Sequence, residues 1–282
     1  MGAPVGIALA MQLMLGGVMA AKTVTGSDVA QRHTERPVVI AHRGASHVAP
    51  ENTVAAIGLA AELEAVAVEF DVHQTGDGVP VIIHDHTLMR TTDGRGKVRD
   101  KTLAELQDFD AGAWFSAQFA GQKIPSLEEG LVALGDQSVA CIEIKSRKNM
   151  MDQVQQALRS TGTLERAVIF SFHGSQVRAS KAAMPDVPAL LLIDPKTASR
   201  YSTQSALDAT KAARADLVGL DHRAVDRNIV QALQQAGYPV FVYTVDLLPD
   251  IERMVDLGVD GIISNRPRAT LGHVLRLRPQ SK

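Results

Sequence analysis

Two acidic residues stand two positions apart inside an apolar run, in the segment VAVEFDVH. They are Glu69 and Asp71. On a β-strand, side chains two positions apart leave from the same face, so both carboxylates would point to one place. We therefore predict that Glu69 and Asp71 act as a pair of ligands.

A turn signal follows this segment. The dipeptide Asp77-Gly78 lies between apolar runs, which is typical of a two-residue hairpin loop with positive φ at both central positions. In that register Gly76 pairs with Val79, and Asp71 lies opposite His84. The hairpin would then bring two acids and an imidazole close together.

Short apolar runs alternate with segments of helical period after Pro37. Eight runs are predicted as buried strands: Val38–Ala41, Ala67–Val72, Val139–Ile144, Ala167–Phe172, Ala189–Ile193, Leu217–Leu220, Val240–Val245 and Gly261–Ile263. Helical patterns lie between them, at 51–64, 126–134, 150–161, 174–184, 203–213, 226–236, 249–257 and after Arg268. Near-continuous apolar strands alternating with helices indicate a parallel sheet covered on both faces. Eight such units favour an α/β fold with a closed (β/α)₈ TIM barrel over an open doubly wound sheet.

Two segments depart from this alternation. The run Val79–His84 is predicted to be an additional antiparallel strand reached through the hairpin. Residues 86–124 form a long insertion after the second barrel strand, and long loops within compact domains usually serve function. Its aromatic residues, among them Trp114 and Phe119, either form an apolar wall at the open end of the barrel or anchor the insertion.

Active sites of such barrels form at the C-terminal ends of the strands, where three acids would meet. Glu69, Asp71 and Glu143 would repel one another strongly there unless a cation lay between them. Ligand sets made of oxygen select hard cations. We therefore expect one divalent cation, Mg²⁺ or Ca²⁺.

Positive charges and histidines belong to the same strand ends. Arg43 and Lys145 beside a metal suit an anionic substrate, phosphate above all. His42 and His84 would act as general base and general acid, because both roles need the near-neutral pKa that is ordinary for histidine, and the whole set is typical of phosphoryl-ester cleavage. The alternative is a buried ion-pair cluster with two hydrogen-bonded core histidines, but such a cluster is costly to bury.

Composition limits the other classes of function. The chain has 282 residues with a net charge of −2 and 4% aromatic residues, which argues against nucleic-acid binding and for a small-molecule substrate. One cysteine, Cys141, excludes an internal disulfide and a cysteine-rich metal site, and its apolar surroundings predict a buried small hydrophobe.

The first residues are predicted to direct export. Ile7–Ala21 is apolar, with small residues suited to cleavage, and is too short to span a bilayer. We expect a periplasmic or secreted protein without a stable membrane span when mature; the alternatives are a cytoplasmic or N-terminally membrane-associated one. The predicted organisation is a signal peptide at 1–21, a linker with a solvated His33 at 22–36, the barrel at 37–276 and a tail at 277–282.

Several blocks of this sequence resemble the glycerophosphodiester phosphodiesterase family. They occur in the order VIAHRGASHVAPENTVAA, VEFDVHQTGDGVPVIIHDHTLMRTTDG, KIPSLEE, IEIK, YTVD and GVDGIISNRP. The likeness runs from about Val38 to Pro267, and the family fold is a TIM barrel with a small insertion after the second strand.

The resemblance implies a role for each candidate residue. It implies an acid/base pair at His42 and His84, metal ligands at Glu69, Asp71 and Glu143, and phosphate contacts at Arg43 and Lys145. Glu51, in the block PEN, also falls in the family's site region, either supporting the ligands or as an additional ligand. Its alternative is a helix first-turn acid stabilised by the helix dipole.

Two positions depart from the family pattern. Tyr243 stands where tryptophan is commoner, and His173 where a small or acidic residue is commoner; both bear on which alcohol is accepted. Four further histidines are interpreted as loop or rim residues: His47, His73, His86 and His222.

The sequence thus predicts metal-dependent hydrolysis of glycerophosphodiesters to glycerol 3-phosphate and an alcohol. We assign His42 as base and His84 as acid, although the sequence leaves the reverse order open, and the nucleophile is water or the substrate's 2-hydroxyl. A lysophospholipase D-like enzyme and a non-catalytic phosphodiester-binding module are the alternatives. The oligomeric state does not follow from the sequence.

Overall fold

The computed structural model describes residues 23–33, 35–194 and 202–277. The predicted signal peptide and all of the predicted tail except Leu277 lie outside the described residues.

The described residues form a closed barrel with one additional strand. The strands are β1 (Val38–Ala41), β2 (Ala67–Gln74), β3 (Pro80–Ile82), β4 (Val139–Ile144), β5 (Ala167–Ser171), β6 (Ala189–Ile193), β7 (Leu217–Asp221), β8 (Val240–Tyr243) and β9 (Gly261–Ser264). Around the barrel β1, β2 and β4 to β9 are parallel neighbours, and β9 pairs with β1 to close the ring. This confirms the predicted (β/α)₈ TIM barrel.

Most helices lie between successive barrel strands and cover them; the first precedes β1 and the third belongs to the 86–124 insertion. They are α1 (Gly26–Val29), α2 (Val54–Glu62), α3 (Leu103–Gln107), α4 (Leu127–Leu134), α5 (Met151–Ser160), α6 (Gly174–Ala183), α7 (Thr203–Ala213), α8 (Arg227–Gln235), α9 (Leu248–Leu257) and α10 (Pro267–Arg276). The helix predicted from residue 51 begins at Val54, because the Thr53 side chain caps it by accepting from the Ala56 N–H. Glu51 therefore precedes the helix, and its interpretation as a helix first-turn acid is wrong.

The barrel interior changes in character along its axis. Near the strand starts it is filled by an apolar cluster that includes Val38, Ala67 and Val139. Since strand side chains alternate, the next inward positions of β2 after Ala67 are Glu69 and Asp71. The barrel thus has an apolar floor and an ionisable upper end. Cys141 is fully buried in the interior cluster, as predicted.

The predicted hairpin is present, but its predicted register is wrong by one residue. The Ile83 N–H donates to the Asp71 carbonyl at 2.9 Å, so Asp71 lies opposite Ile83 and not opposite His84. The loop has three residues: the Thr75 N–H donates to the Val79 carbonyl, and within the loop positive φ occurs at Gly78 alone. His84 follows the end of β3 and approaches the site from a loop.

Residues 86–124 form the predicted insertion after the second barrel strand. It has its own small core, which includes Leu88, Val98 and Leu106 packed with Val81 and Ile83. Phe115 packs edge-on against both Trp114 and Phe119, and the Trp114 indole N–H donates to the Ala111 carbonyl. These contacts favour the anchoring interpretation of the aromatic residues.

The described part of the predicted linker is packed against the barrel floor. Val29 of α1 is 1% exposed within the interior cluster, and a Cβ at Gly26 would overlap the Ala167 carbonyl oxygen. Buried Asp260 accepts from the Arg32 Nε at 2.7 Å and from the His33 N–H at 3.0 Å. Both the linker and the solvated His33 were therefore wrong predictions for this segment. Within the described ranges, no helix combines the length and the apolar character that crossing a membrane requires.

Candidate active site

Three buried carboxylates meet at the upper end of β2 and β4. Asp71 pairs in register with Glu143, and Glu69 lies one inward position below Asp71. One oxygen from each acid lies within 4.8 Å of the others. Glu69 Oε1 is buried and receives no hydrogen bond from any residue that the structure describes. An oxygen set with an unsatisfied buried acceptor fits a hard metal ion.

The carboxylates act strongly on one another's ionisation. Burial, together with the charges of Asp71 and Glu143, raises the pKa of Glu69 well above its ordinary value. Burial and the Asp71 charge raise the pKa of Glu143 to about 7. Burial alone would raise the pKa of Asp71 as well, but the charges of Lys145 and Arg43 outweigh it and lower that pKa. Without a cation the three acids therefore disfavour full ionisation.

Two cations border the acids. Lys145 Nζ lies 2.8 Å from Glu143 Oε1 and 3.4 Å from Asp71 Oδ1, and Arg43 Nε lies 3.3 Å from Asp71 Oδ2. Arg43 has a left-handed φ of 57°, which lets its backbone N–H donate to Glu69 Oε2 at 2.9 Å. At the next residue, Gly44, a Cβ would lie 2.6 Å from the Ala56 backbone, so this tight turn requires glycine.

His42 is held by an amide at the end of β9. Its Nδ1 lies 2.6 Å from Asn265 Oδ1, and the Asn265 amide group donates to Asp246 Oδ2 at 2.6 Å. The carboxylate of Asp246 orients the amide, so His42 must carry its proton on Nδ1. His42 Nε2 then lies 3.9 Å from Glu69 Oε2. Burial and the neighbouring Arg43 charge lower the pKa of His42 to about 4.

His84 is held by a carboxylate instead. Its Nδ1 lies 2.6 Å from Asp85 Oδ1. Burial, together with the charges of Arg43 and Lys145, lowers the pKa of His84, while the Asp71 charge and the hydrogen bond with Asp85 oppose this effect. The two candidate histidines therefore have partners of different chemistry, one a neutral amide and the other an anion.

Glu51 contacts two arginines. Its Oε1 accepts from Arg43 Nη1 at 2.9 Å, and both its oxygens accept from Arg90 at 2.8 and 2.9 Å. It is not one of the three clustered acids, which favours a supporting role over that of an additional ligand. The neighbouring Asn52, with a φ of 60°, donates to Asp71 Oδ2 at 2.7 Å and accepts from the Asp71 N–H.

Sequence reasoning missed five of these residues: Asn52, Asp85, Arg90, Asp246 and Asn265. All five lie within the blocks quoted above, in the stretches HRGASHVAPEN, HDHTLMR, YTVD and SNRP. The contacts of Asn52, Asp246 and Asn265 join segments distant in the chain, so residue spacing carried no signal for them. Asp85 lies beside His84 and five residues before Arg90, in a loop without a regular period.

The opening beside His42 and Arg43 leads into a cavity of about 700 Å³. Its remaining wall is mainly polar and comes from the loops after β1, β7, β8 and β9 and from the first turn of α9: Ser46, His47, Glu51, His222, Thr244, Asp246, Leu247, Asp250, Asn265 and Arg266. Trp114, Phe115 and Phe119 do not contribute to this wall.

The remaining predicted positions are placed as follows. Tyr243 packs edge-on against Phe172 and donates from its hydroxyl to the Ile193 carbonyl. His173 precedes α6, and His47 and His222 line the cavity. His86 is exposed in the insertion. His73, by contrast, lies within β2 with its Nε2 3.0 Å from the His84 carbonyl, so its interpretation as a rim residue was wrong.

Comparisons with known proteins find relatives that span most of the chain. The model of the Glycerophosphoryl diester phosphodiesterase family matches residues 42–269. A glycerophosphodiester phosphodiesterase of Caldanaerobacter subterraneus is 36% identical over 246 residues, covering 85% of this chain and 98% of the relative.

Solved structures are similar as well. An Oleispira antarctica phosphodiesterase, in complex with the product sn-glycerol-3-phosphate, has a TM-score of 0.76 and 27% identity, covering 85% of this chain and 97% of the other. A glycerophosphodiester phosphodiesterase of Agrobacterium tumefaciens has a TM-score of 0.71 and 29% identity, covering 84% and 99%. A family model that spans most of the barrel, together with the 36% identity, leads to one conclusion: this chain belongs to the glycerophosphoryl diester phosphodiesterase family.

Proposed function

We propose that this protein hydrolyses glycerophosphodiesters to glycerol 3-phosphate and an alcohol. The observation that carries the proposal is the meeting of Glu69, Asp71 and Glu143 within 4.8 Å of one another, bordered by two cations and two imidazoles. The relative of 36% identity is named for this activity, and the Oleispira antarctica phosphodiesterase is in complex with the product sn-glycerol-3-phosphate.

The three acids would hold one divalent cation. Their oxygens suit Mg²⁺ or Ca²⁺ better than zinc, since no histidine or cysteine belongs to the described cluster. When bound, the cation supplies charge that neutralises the carboxylates and polarises a phosphoryl oxygen. Arg43 and Lys145 would bind the remaining phosphoryl oxygens and stabilise the charge that develops in the transition state.

The hydrogen bonds of the two histidines support a division of their roles. His42 carries its proton on Nδ1 and has a neutral amide as partner, so its Nε2 is free to accept a proton from water or from the substrate's 2-hydroxyl. The carboxylate of Asp85 favours the imidazolium form of His84. We therefore assign His42 as the base and His84 as the acid that protonates the departing alcohol.

The accepted alcohol is proposed to be small and polar. The cavity beside His42 has a mainly polar wall, and the aromatic residues of the insertion pack on one another. No observation favours a lysophospholipase D-like activity, which calls for an apolar groove. A non-catalytic binding module has no need of two histidines with fixed tautomers.

The experiment that tests the activity uses the purified full chain. After removal of metal with EDTA and dialysis, the protein is incubated with glycerophosphodiesters of choline, ethanolamine and glycerol, with and without Mg²⁺ or Ca²⁺. We expect glycerol 3-phosphate to appear only when metal is added. Binding without turnover, with every substrate and either metal, would reject the hydrolase and favour the binding module.

We also propose that the protein is exported. The support is the apolar segment Ile7–Ala21 with its small residues. Mass spectrometry of the protein recovered from the periplasm or the medium should show a chain that begins near residue 22. A full-length chain in the cytoplasm would overturn this proposal.

A further inference from the structure

We propose that Asp85 is a positioning residue for His84, and that Arg90 holds Asp85 in place from the insertion. The inference rests on the proposed function, because it takes His84 as the acid of the reaction. It gives a role in the chemistry to a residue of the 86–124 insertion.

The first step is the contact between the imidazole and the carboxylate. His84 lies just beyond the end of β3, and its Nδ1 is 2.6 Å from Asp85 Oδ1. An ionised carboxylate can only accept, so the proton of this hydrogen bond lies on Nδ1. Nε2 is then the ring atom available for proton transfer. His73 supports the same residue from behind, through the His84 carbonyl.

The second step is the two-point contact that the Arg90 guanidinium makes with Asp85. Its Nε donates to Asp85 Oδ2 at 2.8 Å, and its Nη2 donates to Asp85 Oδ1 at 3.2 Å. The same guanidinium donates from Nη1 and Nη2 to both oxygens of Glu51. Two-point contacts of this kind fix orientation as well as distance. Asp85 thus has one permitted orientation, with Oδ1 toward the imidazole.

The third step is the connection to the phosphate-binding side. Glu51 Oε1 also accepts from Arg43 Nη1 at 2.9 Å, and Arg43 contacts Asp71. An unbroken series of contacts therefore runs from His84 through Asp85, Arg90 and Glu51 to Arg43. It holds the acid and the phosphate ligand at a set separation, which proton transfer to the departing oxygen requires.

A purely structural explanation accounts poorly for this arrangement. The Arg90 side chain is 43% exposed and that of Asp85 is 27% exposed, and exposed ion pairs contribute little to stability. Asp85 also keeps its charge, because Arg90 lowers the pKa of Asp85 to about 2. The other groups that act on the charge of His84 include Asp71, Arg43 and Lys145, with His42 and His73 nearby.

The test compares two leaving groups on one variant. Asp85→Asn should lower kcat/KM by about 10²-fold for glycerophosphodiesters of alkyl alcohols, whose departing oxygen needs a proton. The p-nitrophenyl ester of glycerol phosphate should be cleaved almost as fast as by the wild type, because its phenolate departs without one. An equal loss on both substrates, or no loss on either, would overturn the proposal. Failure of the wild type on both would instead overturn the proposed function.

Two further variants guard against a folding defect. Arg90→Lys keeps the charge but loses the two-point contact, so we expect the same dependence on the leaving group to a smaller degree. Asp100→Asn breaks an exposed acid–arginine pair of the same insertion and should leave both substrates unaffected. Thermal unfolding of each variant shows whether the fold is intact. If neither Asp85→Asn nor Arg90→Lys shows a loss of activity that depends on the leaving group, the role of Asp85 is refuted.

Discussion

The two histidines of the site differ in what holds them, and this difference has a measurable consequence. His42 has the amide of Asn265 as partner and His84 has the carboxylate of Asp85. We expect His42→Ala and His84→Ala each to lower kcat by about 10²- to 10⁴-fold, the usual effect of removing one acid or base. Steady-state assays at saturating metal measure this. Exposed His86 supplies the control, since His86→Ala should retain full turnover; near-normal turnover in both test variants would reject the assignment.

Asn52 allows a second prediction at the scale of single residues. It is buried, has a left-handed φ of 60°, and makes two hydrogen bonds with Asp71. Asn52→Ala should reduce the free energy of unfolding by about 1–3 kcal/mol, since the buried Asp71 carboxylate loses its amide donor and the Asp71 N–H loses its acceptor. It should also weaken metal binding. Asn52→Gly accepts the same φ, so comparing the two variants in urea separates the backbone cost from that of the lost hydrogen bonds. A stability equal to the wild type in both would contradict this account.

The sequence predicted the acids of the site better than their supporting residues. Glu69, Asp71 and Glu143 lie on strands, where a period of two determines the direction of each side chain. Asn265 and Arg90 act from a loop after β9 and from the insertion. Their directions depend on how loops pack, and no local period encodes that.

Among the secondary structure elements, the barrel strands were predictable and the hairpin register was not. Buried parallel strands are near-continuous apolar runs, which the sequence displays directly. Asp77-Gly78 was interpreted as a two-residue loop, but within the loop Gly78 alone has a positive φ. A three-residue loop with glycine in that position is also common in hairpins, and the dipeptide does not distinguish the two. One residue of difference places Ile83 opposite Asp71 in place of His84, and His84 lies beyond the end of β3.

Helix α1 was missed because its stability comes from the barrel beneath it. A polar segment with four helical residues has little helical tendency of its own. Val29 inserts into the barrel floor, and Gly26 lies against the Ala167 carbonyl. Tertiary contacts of this kind leave no periodic pattern in the sequence.

This packing predicts the effect of a single methyl group. Gly26→Ala should destabilise the protein by about 1–3 kcal/mol, as overpacking of a close contact does. Thermal unfolding should show the change, while kcat at 25 °C stays near the wild type because the floor is opposite to the acids. Ser27 is exposed in the same helix, so Ser27→Ala is the matched control. Equal melting temperatures for the two variants would count against the packed segment.

At the scale of the whole molecule, the barrel gathers three buried acids at one end, where a bound cation would balance their charge. The pKa of Glu143 in the folded protein is raised from 4.5 to about 7. The folded state therefore holds a proton that the unfolded state releases, and the stability contributed by this group falls as pH rises from about 4.5 to about 7. Above that range the loss is constant, on the order of 3 kcal/mol for Glu143.

Glu143→Gln tests this balance. In EDTA the variant should gain stability relative to the wild type between pH 5 and pH 8, by up to roughly 3 kcal/mol. Adding Mg²⁺ or Ca²⁺ at pH 8 should stabilise the wild type far more than the variant. Urea unfolding at pH 5 and pH 8 measures both effects. Subtracting the free energy of unfolding of the wild type from that of the variant removes the contribution of every group that titrates in the same way in both proteins. If the two proteins differ in their free energy of unfolding by the same amount at both pH values, Glu143 ionises normally.

The position of α1 also determines how the protein can be attached to a surface. Residues 24–30 join the barrel at its floor, beside the first residue of β5, whereas the acids and the cavity open at the opposite end. A tether fused ahead of residue 23 therefore emerges on the face that substrate does not use. An enzyme immobilised on a bead through this terminus keeps its opening toward the medium, so its turnover should be that of the free protein.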